Sequence, residues 1–398
     1  MEGTCRRLAG IRPLGSVSRE ILFYSDFPFG YHNPEAEEKM ARFARRGYEV
    51  HYVEQLGIRN PRPRHLLRFA RRALARRSDT PREPFEVASP KLLPPRGAPL
   101  IDQINRRWLA RQLAAHLHAP SEAIFWIRFP TPELVPFVER MSPALVVYEV
   151  VDDHEFAPGM NYRSRRTFRA AEERVLSLAG VVFASSAPIR DRLARLHPNV
   201  VLAPNAVDVE AFAGVGDHKP ASPPLAVYVG SVNFRFDAKL LAEVARALPE
   251  WRFALAGPVE SAVVARLNPL PNIHLLGRVA PSAVPGLLRP ASVCLIPFRR
   301  NRFTDSLSPI KLMEYLAAGR PIVSTSICAA GEFADVVSIA DTPGEFALAI
   351  DQAAREDSDA ARQERVSRAR PFSWDSRIED MEQAIQVALN IRSERASA

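Results

Sequence analysis

Cysteine is scarce in this chain: Cys5, Cys294 and Cys328 are the only three among 398 residues, an odd number with no metal-like spacing. That excludes a disulfide framework and a cysteine-based metal site. Cys294 and Cys328 fall in apolar, strand-like runs and are expected to be reduced, inert core residues. Long apolar runs are missing too. No uninterrupted stretch approaches the roughly 18 residues of a membrane-spanning helix. The opening MEGTCRRLAGIRPLGSVSRE has no apolar segment of the secretory kind, so residues 1–19 read as a disordered basic tail and the expected location is cytoplasmic.

What is present is ordinary globular material, 47% hydrophobic, in a chain too long for one typical core, so two domains are expected. The net charge of +8 is uneven: residues 1–120 carry 22 Lys and Arg against 12 Asp and Glu, which puts the whole excess in the first domain. Its densest part is RPRHLLRFARRALARR, residues 62–77, where Leu66, Leu67, Ala70, Ala73 and Leu74 recur at helical spacing and arginines occupy most of the other faces. Two readings stand: a solvated Arg-rich helix packing its Leu/Ala stripe on the core, or a basic amphipathic helix resting on an anionic membrane at its inner face. Nucleic-acid binding is not expected, because the aromatic interleaving that stacks bases is poor here.

Strand-like runs alternate with amphipathic stretches, the pattern of parallel sheets covered by helices. EILFYSDF, GYEVHYVE, EAIFWIRF, ALVVYEVV and GVVFASS are the clearest strands of a first domain over 20–205. A Pro/Gly/Ser-rich linker over 206–223 follows, and PLAVYVGS, WRFALAGP, NIHLLGRV, ASVCLIPF, RPIVSTS and VVSIAD make a second domain over 224–372. The fold class is therefore α/β, two doubly wound Rossmann-like domains facing a cleft. Ligands in such sheets bind beyond the carboxyl ends of the strands.

The most informative segment is PFRRNRFTDSLSPIKLMEYLAAGRPIV, residues 297–323. Ser308 suits a helix cap, Pro309 the first helical position and Gly319 the residue past the end, which predicts a helix over Pro309–Ala318. Lys311 then lies in the first turn, where free N–H groups and the positive dipole end attract anions, and Arg299, Arg300 and Arg302 add charge. Glu314, three residues on, shares a face with Lys311, one turn from a bound phosphate and in reach of ribose hydroxyls. The competing reading is a surface helix on which Lys311 and Glu314 merely pair, worth a few tenths of a kcal/mol.

SPIKLMEYLAAGRPIVST resembles the nucleotide-binding signature of retaining GT-B glycosyltransferases of the group 1 type. The resemblance implies that Glu314 binds the donor ribose and that basic residues at or near Lys311 hold the diphosphate. A second glutamate of the family's pattern is replaced here by Ser306. PNAVDVEAF resembles the segment that opens the family's second domain, and SWDSRIEDMEQAIQVALNIR its terminal helix, which returns to the first domain over 373–398. The expected donor set is Gly230, Ser231, Arg235, Arg278, Val279, Arg299, Arg302, Ser308, Lys311, Leu312 and Glu314, with Lys239 as a further candidate for the diphosphate. Gly230 and Ser231 end a strand where the absence of a side chain permits close backbone approach to a ligand. Arg278 and Val279 follow the strand NIHLL, either as a base-contacting loop or as an ordinary strand-to-helix turn.

In ALVVYEVVDDHEFAPG, Asp152, Asp153 and His154 stand just past a strand, where they could hold sugar hydroxyls or move a proton. Asp153, His154 and Lys311 are the expected catalytic residues, with Asp152 facing inward as a cap on the competing reading. Gly30, Tyr31 and His32 are expected on the acceptor side by position. The implied activity is transfer of a sugar from a nucleotide diphosphate, UDP favoured by family frequency, to a hydroxyl of a glycan, lipid-linked or natural-product acceptor, with retention and with neither metal nor further cofactor. Two alternatives stay open: an epimerase of the same fold, and a non-catalytic subunit that binds nucleotide sugar.

Overall fold

A computed structural model describes residues 19–25, 29–30, 34–54, 84–93, 99–157, 162–267 and 270–397. The segment 62–77, Cys5, Tyr31 and His32 lie outside the described residues. Among the described residues, thirteen strands form two separate parallel sheets. The first contains β1 (Glu20–Tyr24), β2 (Glu49–Val53), β3 (Glu86–Ala88), β4 (Ile124–Ile127), β5 (Leu145–Val150), β6 (Val181–Ala184) and β7 (Val200–Leu202), in the order β3-β2-β1-β4-β5-β6-β7. The second contains β8 (Leu225–Val229), β9 (Arg252–Ala256), β10 (Ile273–Gly277), β11 (Val293–Ile296), β12 (Ile322–Ser324) and β13 (Ser338–Ile339), in the order β10-β9-β8-β11-β12-β13. In each sheet the winding direction reverses once, between β1 and β4 and between β8 and β11.

The central strands are buried along their whole length because helices cover both faces, which explains their continuous apolar runs. Alternate residues serve opposite layers: Leu22 and Tyr24 join one hydrophobic cluster of the first domain, Ile21 and Phe23 the other. That second layer is completed from the far end of the chain. The helix Trp374–Ser397 contributes Trp374, Ile378, Met381, Ile385 and Ala388, spaced three and four residues apart, to the cluster that holds Phe43 and Trp126.

The structure adds two strands to those read from the sequence, β3 and β7. Both are three-residue edge strands with partly exposed positions, too short to show periodicity. The segment 206–223 is not a plain linker: it holds single-turn helices at Glu210–Phe212 and Val215–Asp217. Val207 also pairs with the returning chain, its N–H donating to Phe372 O at 2.9 Å and its carbonyl accepting from Trp374 N at 3.2 Å. Cys294 is buried in β11, whereas Cys328 is exposed, contrary to the expectation that both are core residues. It starts the short helix Cys328–Gly331, beyond the end of β12. No helix among the described residues is long and apolar enough to cross a membrane.

Candidate active site

The second sheet's switch point, between β8 and β11, opens into a cavity of about 580 Å³. Its floor is backbone. β8 is followed directly by Gly230, whose N–H donates to Ala256 O at 2.8 Å and whose φ is 132°. β9 is followed directly by Gly257, φ 147°, so close to Gly230 that a Cβ on Gly257 would lie 2.1 Å from the Gly230 carbonyl oxygen. A Cβ on Gly230 would lie 2.8 Å from Lys311 Nζ. Two chains and an ammonium group meet here only because the side chains are absent.

The helix at the mouth runs Ile310–Ala317, one residue shorter at each end than the sequence suggests. Pro309 occupies the N-cap position, with extended φ −69° and ψ 120°, and Ser308 caps nothing. Asn205, at the end of the first domain, holds Ser308 instead: its Nδ2 donates to the Ser308 carbonyl at 2.5 Å and its N–H to Ser308 Oγ at 3.4 Å. Tyr315 anchors the helix to β8 by accepting the Val229 N–H at 2.8 Å. At the far end Gly319, φ 67°, donates its N–H to Leu316 O, and Arg320 donates to Tyr315 O, the two bonds of a Schellman motif.

Lys311 lies in the first turn, its Nζ 4.8 Å from the ring centroids of both Tyr228 and Phe298. Desolvation and the nearby Arg235 guanidinium push the lysine down to about 7, against a smaller opposing pull from Glu314. Desolvation pushes Glu314 up to about 7, with Lys311 acting the other way. Among the described residues no hydrogen bond or ion pair joins the two side chains, and both line the cavity. The helix therefore does not carry a plain surface pair. It presents an ammonium and a carboxylate one turn apart to an enclosed space.

Gly230, Ser231, Arg235, Arg278, Val279, Ser308, Lys311 and Glu314 are brought together around the cavity. Arg235 lies against the rings of both Phe234 and Phe303, and its Nη2 stands 3.9 Å from Asp152 Oδ2 across the cleft.

Several expected residues stand elsewhere. Leu312 is fully buried in the second domain's core. Arg299 is outside the lining and contributes its backbone N–H to Arg235 O at 2.8 Å. Arg302 lays its guanidinium over the Phe156 ring of the first domain at 3.6 Å, Arg300 pairs with Asp341 at 3.1 Å, and Lys239 projects toward Glu243. The two aspartates exchange roles. Asp152 lines the cavity, while Asp153 is buried, 3.6 Å from Arg192 and raised in pKa by desolvation. His154 packs edge-on to Phe129 at 5.0 Å, outside the lining. Gly30 is also outside it, its N–H donating to Glu37 Oε1 at 2.5 Å.

Sequence reasoning missed Asn205, Asn233, Glu260 and Phe298, which line the same space. Asn205 was within reach of it, as the asparagine of PNAVD; the other three carry no local signal.

Comparison with known proteins bears on the fold and on the second domain. Residues 223–356 match the family described as glycosyl transferases group 1. A glycosyltransferase of Bacillus subtilis (strain 168), TuaH, named as a putative enzyme of teichuronic acid biosynthesis, is 24% identical over 180 residues, 41% of this chain and 44% of that relative. This chain thus aligns to under half of that relative's length. Anabaena Alr3699/HepE in complex with UDP and glucose superposes over 92% of this chain and 98% of its own, with TM-score 0.62 at 14% identity. An E. coli protein described as trehalose-6-phosphate, bound with UDP-2-fluoro glucose, superposes over 92% of this chain and 99% of its own, with TM-score 0.64 at 12% identity. Two parallel sheets meeting at a cleft give this chain the GT-B fold of those solved structures, and most of its second domain matches the glycosyl transferases group 1 family.

Proposed function

We propose that the protein transfers a sugar from a nucleotide-diphosphate sugar, a UDP-sugar, to a hydroxyl of a glycan, lipid-linked or small-molecule acceptor, with retention at the anomeric carbon. The observation that carries the proposal is the unpaired Lys311 and Glu314, one turn apart, facing the cavity beside Gly230 at the switch point. Lys311, the free N–H groups of the helix Ile310–Ala317 and Arg235 neutralise the diphosphate as the bond from the anomeric carbon to phosphate oxygen breaks. Glu314 accepts hydrogen bonds from the ribose, and the loop at Arg278 and Val279 flanks the base. Gly230 admits the diphosphate against backbone.

UDP as the nucleotude of choice is supported by the UDP, UDP-glucose and UDP-2-fluoro glucose complexes of the structural neighbours. A glycan-type acceptor is supported by the teichuronic acid role named for the Bacillus relative. The positive balance of the first 120 residues favours an anionic or membrane-bound acceptor over a neutral soluble one.

The test is a thermal-shift titration with UDP, GDP and dTDP, with and without EDTA, each read against the same buffer lacking nucleotide. Saturation at about a hundred times Kd adds about 2.7 kcal/mol of stability. Selective stabilisation by UDP is the expected result, followed by NMR of the product's anomeric proton after incubation with an acceptor panel. Conversion of the donor without acceptor would instead identify an epimerase. Binding without turnover on any acceptor would identify a non-catalytic subunit, the reading that Ser306 in place of a glutamate favours.

A further inference from the structure

At the end of the first sheet opposite the cleft, three adjacent strands each begin with glutamate: Glu20 of β1, Glu49 of β2 and Glu86 of β3. Glu20 and Glu49 are register partners, and like charges side by side destabilise a sheet. Three histidines converge on them, His51 from β2 and His116 and His118 from the chain just past the helix Pro99–Ala114.

The arrangement is built around two buried groups. Glu20 is 2% exposed, and its carboxylate accepts the N–H of His118 at 2.8 Å and of Ala119 at 3.3 Å. His51 is 4% exposed. Its Nδ1 lies 3.2 Å from Glu86 Oε2, which leaves Nε2 facing Glu20 Oε1 at 3.2 Å and Glu49 Oε1 at 3.9 Å. Glu49 Oε1 is in turn 3.1 Å from His118 Nε2. One ligand atom each from Glu20, Glu49 and His118 all lie within 4.8 Å of one another.

We infer that this cluster is a structural zinc site, with Glu20, Glu49 and His118 as ligands and His51 Nε2, which stands outside that trio beside Glu20, swinging in as the fourth donor. Mixed carboxylate and imidazole donors suit zinc, whereas calcium and magnesium take oxygen alone. Tetrahedral zinc with bonds of about 2.0–2.2 Å sets ligand atoms about 3.4 Å apart, so closing the cluster draws its widest pairs together by about 1 Å. Glu86 behind His51 supplies the carboxylate–histidine pair that orients a metal-binding ring. A divalent cation would bring positive charge to three neighbouring carboxylates. The ion ties the chain around His118 to the amino ends of β1 and β2. It stands at the other end of the first domain's strands from the cleft and takes no part in sugar transfer.

The test titrates ZnCl2 alone into EDTA-treated, dialysed full-length protein, by calorimetry and thermal shift. One ion binds per chain, and Tm rises by about 5 °C at saturating zinc. Glu49→Gln and His118→Ala, both at exposed side chains that leave the fold intact, each lower the affinity at least about tenfold, and Glu86→Gln lowers it about 10–100-fold through the ring it orients. The exposed His274→Ala, in the other domain, changes nothing. The UDP-induced shift is read in every variant, so that failure here stays distinct from failure of the donor site. Absence of saturable binding by the wild-type protein, or binding that survives both Glu49→Gln and His118→Ala, overturns the inference and leaves a hydrogen-bonded His/Glu network. Equal stabilisation by magnesium or calcium overturns the choice of zinc.

Discussion

A lysine held between two aromatic rings, with an arginine nearby and no carboxylate on it, is poorly solvated and short of negative charge. A bound diphosphate supplies that charge. Because Lys311 is pushed down to about 7 and Glu314 up to about 7, at pH 8 the lysine is mostly neutral and the glutamate mostly ionised. UDP binding at pH 8 should therefore draw in close to one proton, read by calorimetry in buffers of different ionisation enthalpy, and Lys311→Met should abolish the uptake. The stability signs are opposite. Lys311 in the fold releases its proton before the unfolded chain does, so its contribution rises with pH between about 7 and 10.5; Glu314 in the fold holds its proton longer, so its contribution falls between about 4.5 and 7. Lys311→Met should also lower kcat by about 10²–10³, the scale of a lost charge-stabilising donor, with Tm held or raised because a poorly solvated charge is removed. Gly230→Ala tests the approach from the other side. Its Cβ would meet Lys311 Nζ at 2.8 Å at a φ of 132°, so UDP affinity should drop at least about tenfold, measured by titration.

The helix Ile310–Ala317 shows what local sequence dictates and what it does not. Its C-terminus was legible, because Gly319 is the residue type that takes φ 67° and Pro321 forbids continuation. Gly319→Ala should cost about 1 kcal/mol in thermal unfolding, since its Cβ would press on Val366 Cγ2 at 3.3 Å, and should leave the Kd for UDP unchanged. The N-terminus was misread because Ser308 is engaged by Asn205, 103 residues earlier, a tertiary partner invisible to local pattern. The same division runs through the sheets. All six strands of the second domain were legible, since most are buried on both faces and read as apolar runs. β3 and β7 were not, being short edges. The alternation that tells inward from outward ends with β5 at Val150, so nothing local said whether Asp152 or Asp153 would face the cleft.

At the scale of the molecule, the two domains are joined by two chain crossings hydrogen-bonded to each other at Val207, Phe372 and Trp374. The cleft side is held by different contacts. Ser186 of the first domain donates to the Ser306 carbonyl at 2.7 Å, Asn205 holds Ser308, Asp152 stands 3.9 Å from Arg235, and Arg302 covers Phe156. Paired crossings behind and polar contacts in front are the arrangement a hinge would need to close over a donor, and such closure would exclude water from a bond prone to hydrolysis. Arg302 is the contact that can be removed with least collateral damage, because it is exposed and outside the cavity lining. A cation–π contact is worth about 0.5–2 kcal/mol, so Arg302→Ala should shift the balance between open and closed forms by about 2–30-fold. Because Arg302 lies outside the cavity lining, the Kd for UDP should change by less than about twofold. The rate of donor hydrolysis relative to transfer should rise severalfold, and small-angle scattering with UDP present should report a larger radius of gyration than in the wild type. An unchanged hydrolysis ratio with an unchanged radius would show that the Arg302–Phe156 contact does not hold the cleft shut, and would leave that work to the Ser186 and Asn205 hydrogen bonds.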